Sequence, residues 1–258
     1  MDRLSPADLS AALDRDGYAI VPDVIDPPTV DALRAAVAQL TAGEAVRRRS
    51  GTYGIRHLLA LIPEVARLAA SAPLRKLIEA VLGPECFAVR GTFFDKPPDA
   101  NWKLGWHQDS VIAVRQQIDT TGFGPWSTKA GICQVQPPVE FMARMVAARV
   151  HLDDCHADNA PLRVLPGSHR HGWLDDEIDD WKSRVPEVAC LVPAGGVLLM
   201  RPLLLHASST AAAPAHRRVI HLEYAAEELP GGLEWHDRVG DPASAGTQAP
   251  ATEPTAPR

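Results

Sequence analysis

The sequence predicts a mainly β domain, a sandwich or jelly roll, flanked by helices on its N-terminal side. Three observations carry this reading. From Cys86 onward the chain breaks into short β-type runs separated by turn residues: CFAVRGTFF, ARMVAARVHL, LRVLP, EVACLV, GVLLM and RRVIHLEY. Strands at that spacing suggest two packed sheets. The first 85 residues instead carry helix punctuation and helical periodicity. With 258 residues, 46% of them hydrophobic, and no dividing linker, the chain suits one large domain over residues 1–238. Its expected parts are a helical portion over about 1–85 and a jelly-roll core over about 86–226.

Ser5 followed by Pro6 signals a helix start, Leu9 and Leu13 share a face, and Gly17 stops the run. A short strand is expected over 18–24. Asp26-Pro27-Pro28 opens a second helix with Val30, Leu33, Val37 and Leu40 on one stripe and Gly43 beyond its end. Two further helices are expected over 64–70 and 74–82, set off by Pro63, Pro73 and Gly83-Pro84. The segment 110–138, containing Gly, Pro and Trp, is too long for a hairpin loop and reads as a lid. Residues 239–258, rich in Pro, Ala, Thr and Gly without apolar periodicity, read as a disordered tail.

The net charge of −6 gives no electrostatic reason to expect nucleic acid or an anionic membrane as partner, so a small-molecule substrate is expected. The start MDRLSPADLS has no apolar stretch behind its charges, and VLLMRPLLL is interrupted by Arg201 and Pro202, so neither a signal peptide nor a membrane span is predicted. Cys86, Cys133, Cys155 and Cys190 are widely spaced with no CxxC pair, which suits reduced thiols and a cytoplasmic setting. Oligomeric state is not legible.

The chemistry concentrates in Trp106-His107-Gln108-Asp109 and in His206. In an extended strand, positions 107 and 109 project to the same side and can reach one ion. His206, read as ending the apolar strand VLLMRPLLL, supplies a third ligand. Two imidazoles and one carboxylate on one face of an octahedron suit iron(II), with the other face open for co-substrate and oxygen. Arg217 starts the strand RRVIHLEY; a guanidinium inside a barrel needs an anion, and its fork matches a carboxylate. Strand alternation turns only one of Arg217 and Arg218 inward, the other reading being a solvated pair.

The segments DGYAIVPDVI, FFDKPP, WHQD, RVHLDDC, NAPLRVLPGSHR, HASS and HRRVIHLEY, in that order, resemble the phytanoyl-CoA dioxygenase family of iron(II)/2-oxoglutarate-dependent oxygenases. The resemblance spans roughly residues 16–224. It implies a double-stranded β-helix, cupin-like, with flanking helices. It also implies Fe(2+) held by His107, Asp109 and His206, with 2-oxoglutarate and O2 as co-substrates. Arg217 and Ser208 would hold the distal carboxylate of 2-oxoglutarate, with Arg149 beside it and Lys96 supplied by the family's KPP motif. The reaction implied is hydroxylation of an unactivated C–H bond with release of succinate and CO2. Related halogenases replace the carboxylate ligand by a small residue, so Asp109 favours hydroxylation or another oxidation over halogenation.

Other readings stand beside these. Ser208 as a turn cap and an internal ion pair among Arg149, His151 and Asp153 are both compatible with the pattern. His151, Cys155 and His156 lack a fourth ligand at zinc spacing and read as buried cysteine with loop histidines. Pro166 to His169 reads as a turn with His169 and His171 at the surface. Trp106, Trp126 and Gln136 are candidate substrate residues, with core packing the competing role for the two aromatics. A cupin-type metal enzyme that does not use 2-oxoglutarate, and a non-catalytic barrel binding protein, are the two functional alternatives.

Overall fold

The computed structural model describes residues 5–40, 46–48, 52–97 and 101–240. The expected tail over 239–258 lies outside them beyond Gly240.

Helix α1 (Pro6–Arg15) starts at Ser5, whose Oγ accepts the Asp8 amide at 3.2 Å, and it buries Leu9 and Leu13. Strand β1 (Tyr18–Val21) follows. It stops short of the expected residue 24 because Pro22 has no amide to donate and Asp23 turns to φ 54°. Asp26 caps α2 (Pro27–Gln39) by accepting the Thr29 amide at 2.8 Å, and Val30, Leu33 and Val37 form its buried stripe. Strands β2 (Val46–Arg48) and β3 (Thr52–Ile55) form a hairpin inside the region expected to be mainly helical. Helices α3 (Leu58–Leu61), α4 (Pro63–Ala69) and α5 (Ala72–Leu82) complete this part.

The β region comprises β4 (Phe87–Phe94), β5 (Leu104–His107), β6 (Ile112–Val114), β7 (Trp126–Lys129) and β8 (Ile132–Val135). After α6 (Val139–Ala143) come β9 (Val146–His151) and β10 (Leu162–Val164). Beyond α7 (Ile178–Arg184) lie β11 (Val188–Cys190), β12 (Val197–Met200), β13 (His206–Ser208) and β14 (Val219–Ala225). A seven-stranded sheet runs β1-β12-β9-β14-β4-β3-β2, and a four-stranded sheet runs β11-β10-β13-β5. All their pairings are antiparallel. The two sheets close on each other as a double-stranded β-helix, with Ala147, Leu198 and Met200 of the larger packed against Leu162, Val164 and Cys190 of the smaller.

Side-chain alternation divides the large sheet into two functions. Val146, Ala148, Val150, Val197, Leu199, Ile220, Leu222 and Tyr224 point outward and pack with Leu13, Leu33, Leu74 and Ile78 of the helices. Tyr224 is fixed there by donating its hydroxyl to the Ala69 carbonyl at 3.1 Å. Arg149, His151, His221 and Glu223 take the intervening, inward positions. The helices thus seal one face of the sheet with apolar contacts and leave the other face for polar chemistry.

The segment 110–138 is more ordered than a lid. It forms a third sheet, β6-β8-β7, whose Ile112, Val114 and Val135 are fully buried with Phe141 and Trp235. The turn between β7 and β8 is Ala130-Gly131 with φ of 53° and 77°. Both central residues are left-handed, as a two-residue hairpin requires, and Ala130 in that position disguises the signal. Val239, placed at the start of the expected tail, exchanges backbone hydrogen bonds with Ala88 at 2.8 and 3.0 Å.

Candidate active site

His107 ends β5 and His206 begins β13, and the two are register partners across that antiparallel pair. This corrects the expectation that His206 ends the strand VLLMRPLLL. Pro202 breaks that run, β12 stops at Met200, and the chain crosses to the other sheet before His206. Asp109 lies just beyond β5, where its amide donates to the Pro202 carbonyl at 3.0 Å. One ligand atom from each of His107, Asp109 and His206 falls within 4.8 Å of the others. The Asp109 Oδ1 to His206 Nε2 distance is 3.9 Å.

The donor set fits a metal ion. His107 Nδ1 lies 2.9 Å from the Gly105 carbonyl and His206 Nδ1 lies 2.8 Å from the Leu204 carbonyl. A carbonyl only accepts, so each Nδ1 carries the hydrogen and each Nε2 keeps its lone pair for the site. Burial lowers the His206 pKa to about 3, with the His107 charge acting in the same direction and Asp109 opposing, so the ring stays neutral. Burial works against ionised Asp109, but His206, His221, His107 and Arg149 outweigh it and hold its pKa at about 2. Asp109 Oδ2 is buried without a hydrogen-bond partner among the described residues.

Gln108, between the ligands, points the other way and is 6% exposed. Its Nε2 donates to the carbonyls of Leu203 at 2.6 Å and Gly172 at 2.8 Å, and its Oε1 accepts the Leu174 amide at 2.8 Å. It ties the loop bearing Asp109 to the loop that leads into His206.

Behind the triad lies a group of cations. Arg217 is 2% exposed and donates to the Ala160 carbonyl, with Ser208 Oγ at 3.4 Å. Ser208 Oγ accepts from Lys96 Nζ at 2.8 Å, and Lys96 Nζ also donates to the Ser209 carbonyl. Arg149 is 7% exposed and donates to His221 Nδ1 at 3.1 Å. Burial, then the nearby Arg217 charge, pushes Lys96 down to about 7 and Arg149 down to about 10. Among the described residues no carboxylate forms an ion pair with Lys96, Arg149 or Arg217. Buried positive charge without a counter-ion calls for an anion from outside. The sequence-based pairing of Arg149 with Asp153 does not form: Asp153 accepts from Arg218 at 2.6 and 2.8 Å, and Arg218 turns outward as alternation requires.

The triad, Arg149, Arg217 and Ser208 open on one cavity of about 330 Å³, whereas Lys96 stands behind Ser208 and is not among the lining residues. Trp106, Trp126 and Gln136 are not among its lining residues. Trp106 alternates away from His107 and packs with Leu165, Leu174 and Trp181 under the Arg163 guanidinium. Trp126 packs against the Phe141 and Trp235 cluster, and the Gln136 backbone bonds Gly124 and Pro125. His169, expected at the surface, is 9% exposed, its ring filling the space beside Gly17. Sequence reading missed Arg90, Thr92, His221 and Glu223, which line the cavity from β4 and β14. The signal was present in RRVIHLEY: once Arg217 faces inward, a period of two carries 221 and 223 inward as well.

Fold and site together define a double-stranded β-helix protein with a two-histidine, one-carboxylate cluster at one end of its barrel. The chain belongs to the phytanoyl-CoA dioxygenase (PhyH) family, whose model matches residues 13–219. It is 28% identical over 170 residues to the ectoine dioxygenase of Sphingopyxis alaskensis, covering 62% of this chain and 49% of that protein. The chain thus spans about half the length of that curated relative. Among solved structures it is similar to EctD from S. alaskensis with bound Fe, at TM-score 0.68 and 25% identity over 88% of this chain and 79% of that one. The same protein with 2-oxoglutarate and 5-hydroxyectoine matches at TM-score 0.68 and 24% identity, covering 88% and 78%.

Proposed function

We propose that this protein is an iron(II)- and 2-oxoglutarate-dependent oxygenase that hydroxylates an unactivated C–H bond of a small molecule, releasing succinate and CO2. The observation that carries the reading is the placement of a triad able to hold a metal and of the buried cations Arg149 and Arg217, which have no ion-pair partner among the described residues, on the walls of a single cavity. A cupin-type metal enzyme without 2-oxoglutarate would leave that buried positive charge unexplained.

His107, Asp109 and His206 would hold the iron, which when bound supplies the activation of O2 that a side chain cannot. Asp109 fills the carboxylate position, which favours hydroxylation over halogenation. Arg217 offers a planar fork to the distal carboxylate of 2-oxoglutarate, and Ser208, whose hydroxyl here donates to the Ala160 carbonyl at 3.1 Å, would turn that donor to the same carboxylate. Lys96 holds Ser208 in place and adds charge, and Arg149 approaches from β9. Leu162 adds an apolar side chain to the cavity lining, and a drier wall would strengthen each of these contacts. Trp106 and Trp126 are assigned to apolar packing and Gln136 to backbone bonding of the 124–125 turn rather than to the substrate.

The chain up to about residue 238 is read as one catalytic unit, supported by the core that joins the helices to the large sheet. No described helix is long and apolar enough to cross a membrane. Four free cysteines support a reducing compartment, and we assign the protein to the cytoplasm.

The test is iron-dependent conversion of 2-oxoglutarate to succinate by the purified protein. Wild type is expected to form succinate only with iron(II) present, and Asp109→Ala and His206→Ala are expected to lose it while keeping the wild-type circular dichroism. Undiminished succinate formation by either variant would refute the assignment.

A further inference from the structure

The cavity has a second polar wall beyond the cations assigned to the co-substrate. Glu223 on β14 stands opposite Arg90 on β4, and His221 stands opposite Thr92 in the next inward pair. All four line the cavity. Glu223 is 5% exposed, and although Arg90 is its counter-ion, one of its two oxygens lacks a hydrogen bond. Oε1 lies 3.4 Å from Arg90 Nη1 and 3.5 Å from His221 Nε2. Oε2 has no hydrogen-bond partner among the described residues. Arg90 is itself drawn aside, donating Nη1 to the Val111 carbonyl at 3.2 Å. A carboxylate so deeply buried is costly unless its lone pairs receive donors.

The position of Glu223 relative to the triad is set by His221. Arg149 donates to His221 Nδ1 at 3.1 Å, and an arginine can only donate, so the ring hydrogen sits on Nε2. That Nε2 lies 4.0 Å from Asp109 Oδ2 and 3.5 Å from Glu223 Oε1. The metal-ligand carboxylate and the second carboxylate thus flank one ring nitrogen. A group bound to Glu223 would hold its neighbouring carbons in front of the triad, on the side away from Arg217.

Resting on the oxygenase reading above, we infer that Glu223 is the substrate anchor and that the substrate is a small molecule bearing a cationic nitrogen, an amine or amidine. Its N–H groups complete the hydrogen bonding of Oε2, and its charge joins that of Arg90 in balancing the carboxylate. The carbon oxidised is one close to that nitrogen. Thr92, across from His221, supplies a hydroxyl to the same wall.

The experiment is anaerobic calorimetry on protein loaded with iron(II) and 2-oxoglutarate, with three probes of one shape: cyclohexylamine, cyclohexanol and cyclohexanecarboxylate. The visible band of chelated 2-oxoglutarate is recorded on each sample. Cyclohexylamine is expected to bind at least about tenfold tighter than cyclohexanol, the factor that corresponds to roughly 1.4 kcal/mol. In Glu223→Gln that preference falls to within about twofold while the band is unchanged. Glu223→Asp, which keeps the charge, retains part of the preference and guards against a folding defect. Equal binding of amine and alcohol, no binding of the amine, or a preference that survives Glu223→Gln would overturn the inference and leave Glu223 as counter-ion of Arg90. Preference for the carboxylate probe would overturn it in favour of an anion site. Loss of the band in the wild type would instead strike the oxygenase reading.

Discussion

His206 stands directly across the β5–β13 pair from His107, with the imidazole centroids 4.1 Å apart. Each ring is held by its Nδ1 on a carbonyl two residues earlier in its own chain, so the backbone of each segment orients its own ligand. The site is therefore as rigid as the pairing of two short strands, and what pins those strands together governs metal affinity.

Gln108 is such a pin. Replacing it by leucine removes three hydrogen bonds and leaves the Leu203 and Gly172 carbonyls and the Leu174 amide without their partner. Unsatisfied buried groups cost about 1–3 kcal/mol each, and local relaxation recovers part of this, so a loss of about 2–5 kcal/mol is expected in urea unfolding. Iron(II) affinity is expected to fall about 10- to 100-fold, as for other groups that orient metal ligands. Unchanged affinity in an equilibrium iron titration would show that the triad does not depend on this tie.

Arg217→Ala is expected to weaken 2-oxoglutarate binding by about 2–5 kcal/mol with iron(II) binding unaffected, since the guanidinium is buried and touches no triad residue. Arg217→Lys is expected to recover only part, because an ammonium lacks the planar fork. Direct titration of each variant with 2-oxoglutarate measures both; equal affinity for wild type and Arg217→Ala would remove this residue from the co-substrate site.

Lys96 makes co-substrate binding depend on pH. Burial and the Arg217 charge push its pKa down to about 7, so above pH 7 the side chain is mostly neutral. A bound dianion favours the ammonium form and draws a proton in. Affinity for 2-oxoglutarate is therefore expected to be nearly flat below pH 7 and to fall as pH rises from 7 to 9, with proton uptake above 7. Calorimetry in two buffers of different ionisation enthalpy measures that uptake. In Lys96→Met the uptake is expected to vanish; its persistence there would place the titrating group elsewhere.

Much of this architecture was legible in particular residues. Ser5-Pro6 and Asp26-Pro27-Pro28 marked two helix starts that the structure places there, because capping is local chemistry. The strands from Phe87 onward were legible because alternation survives wherever one face meets the helices. The sheet inside 110–138 was not, since its strands are three or four residues long and its turn carries Ala130 where glycine is usual. The triad was readable from the order of the motifs around it, since the HxD spacing alone also occurs at His151/Asp153 and His156/Asp158. Glu223 was legible only through alternation from Arg217, and its pairing with Arg90 was not, because a pairing between strands far apart in sequence leaves no local trace in either one.

The central claim, that triad and cations together hold iron(II) and 2-oxoglutarate, meets its most direct test in an anaerobic titration of the protein with iron(II) and then 2-oxoglutarate. A weak visible charge-transfer band is expected in the wild type and is expected to be lost in His107→Ala. Iron binding without a band would show a metal enzyme that does not chelate 2-oxoglutarate, and failure to bind iron would contradict the reading of His107, Asp109 and His206 as ligands.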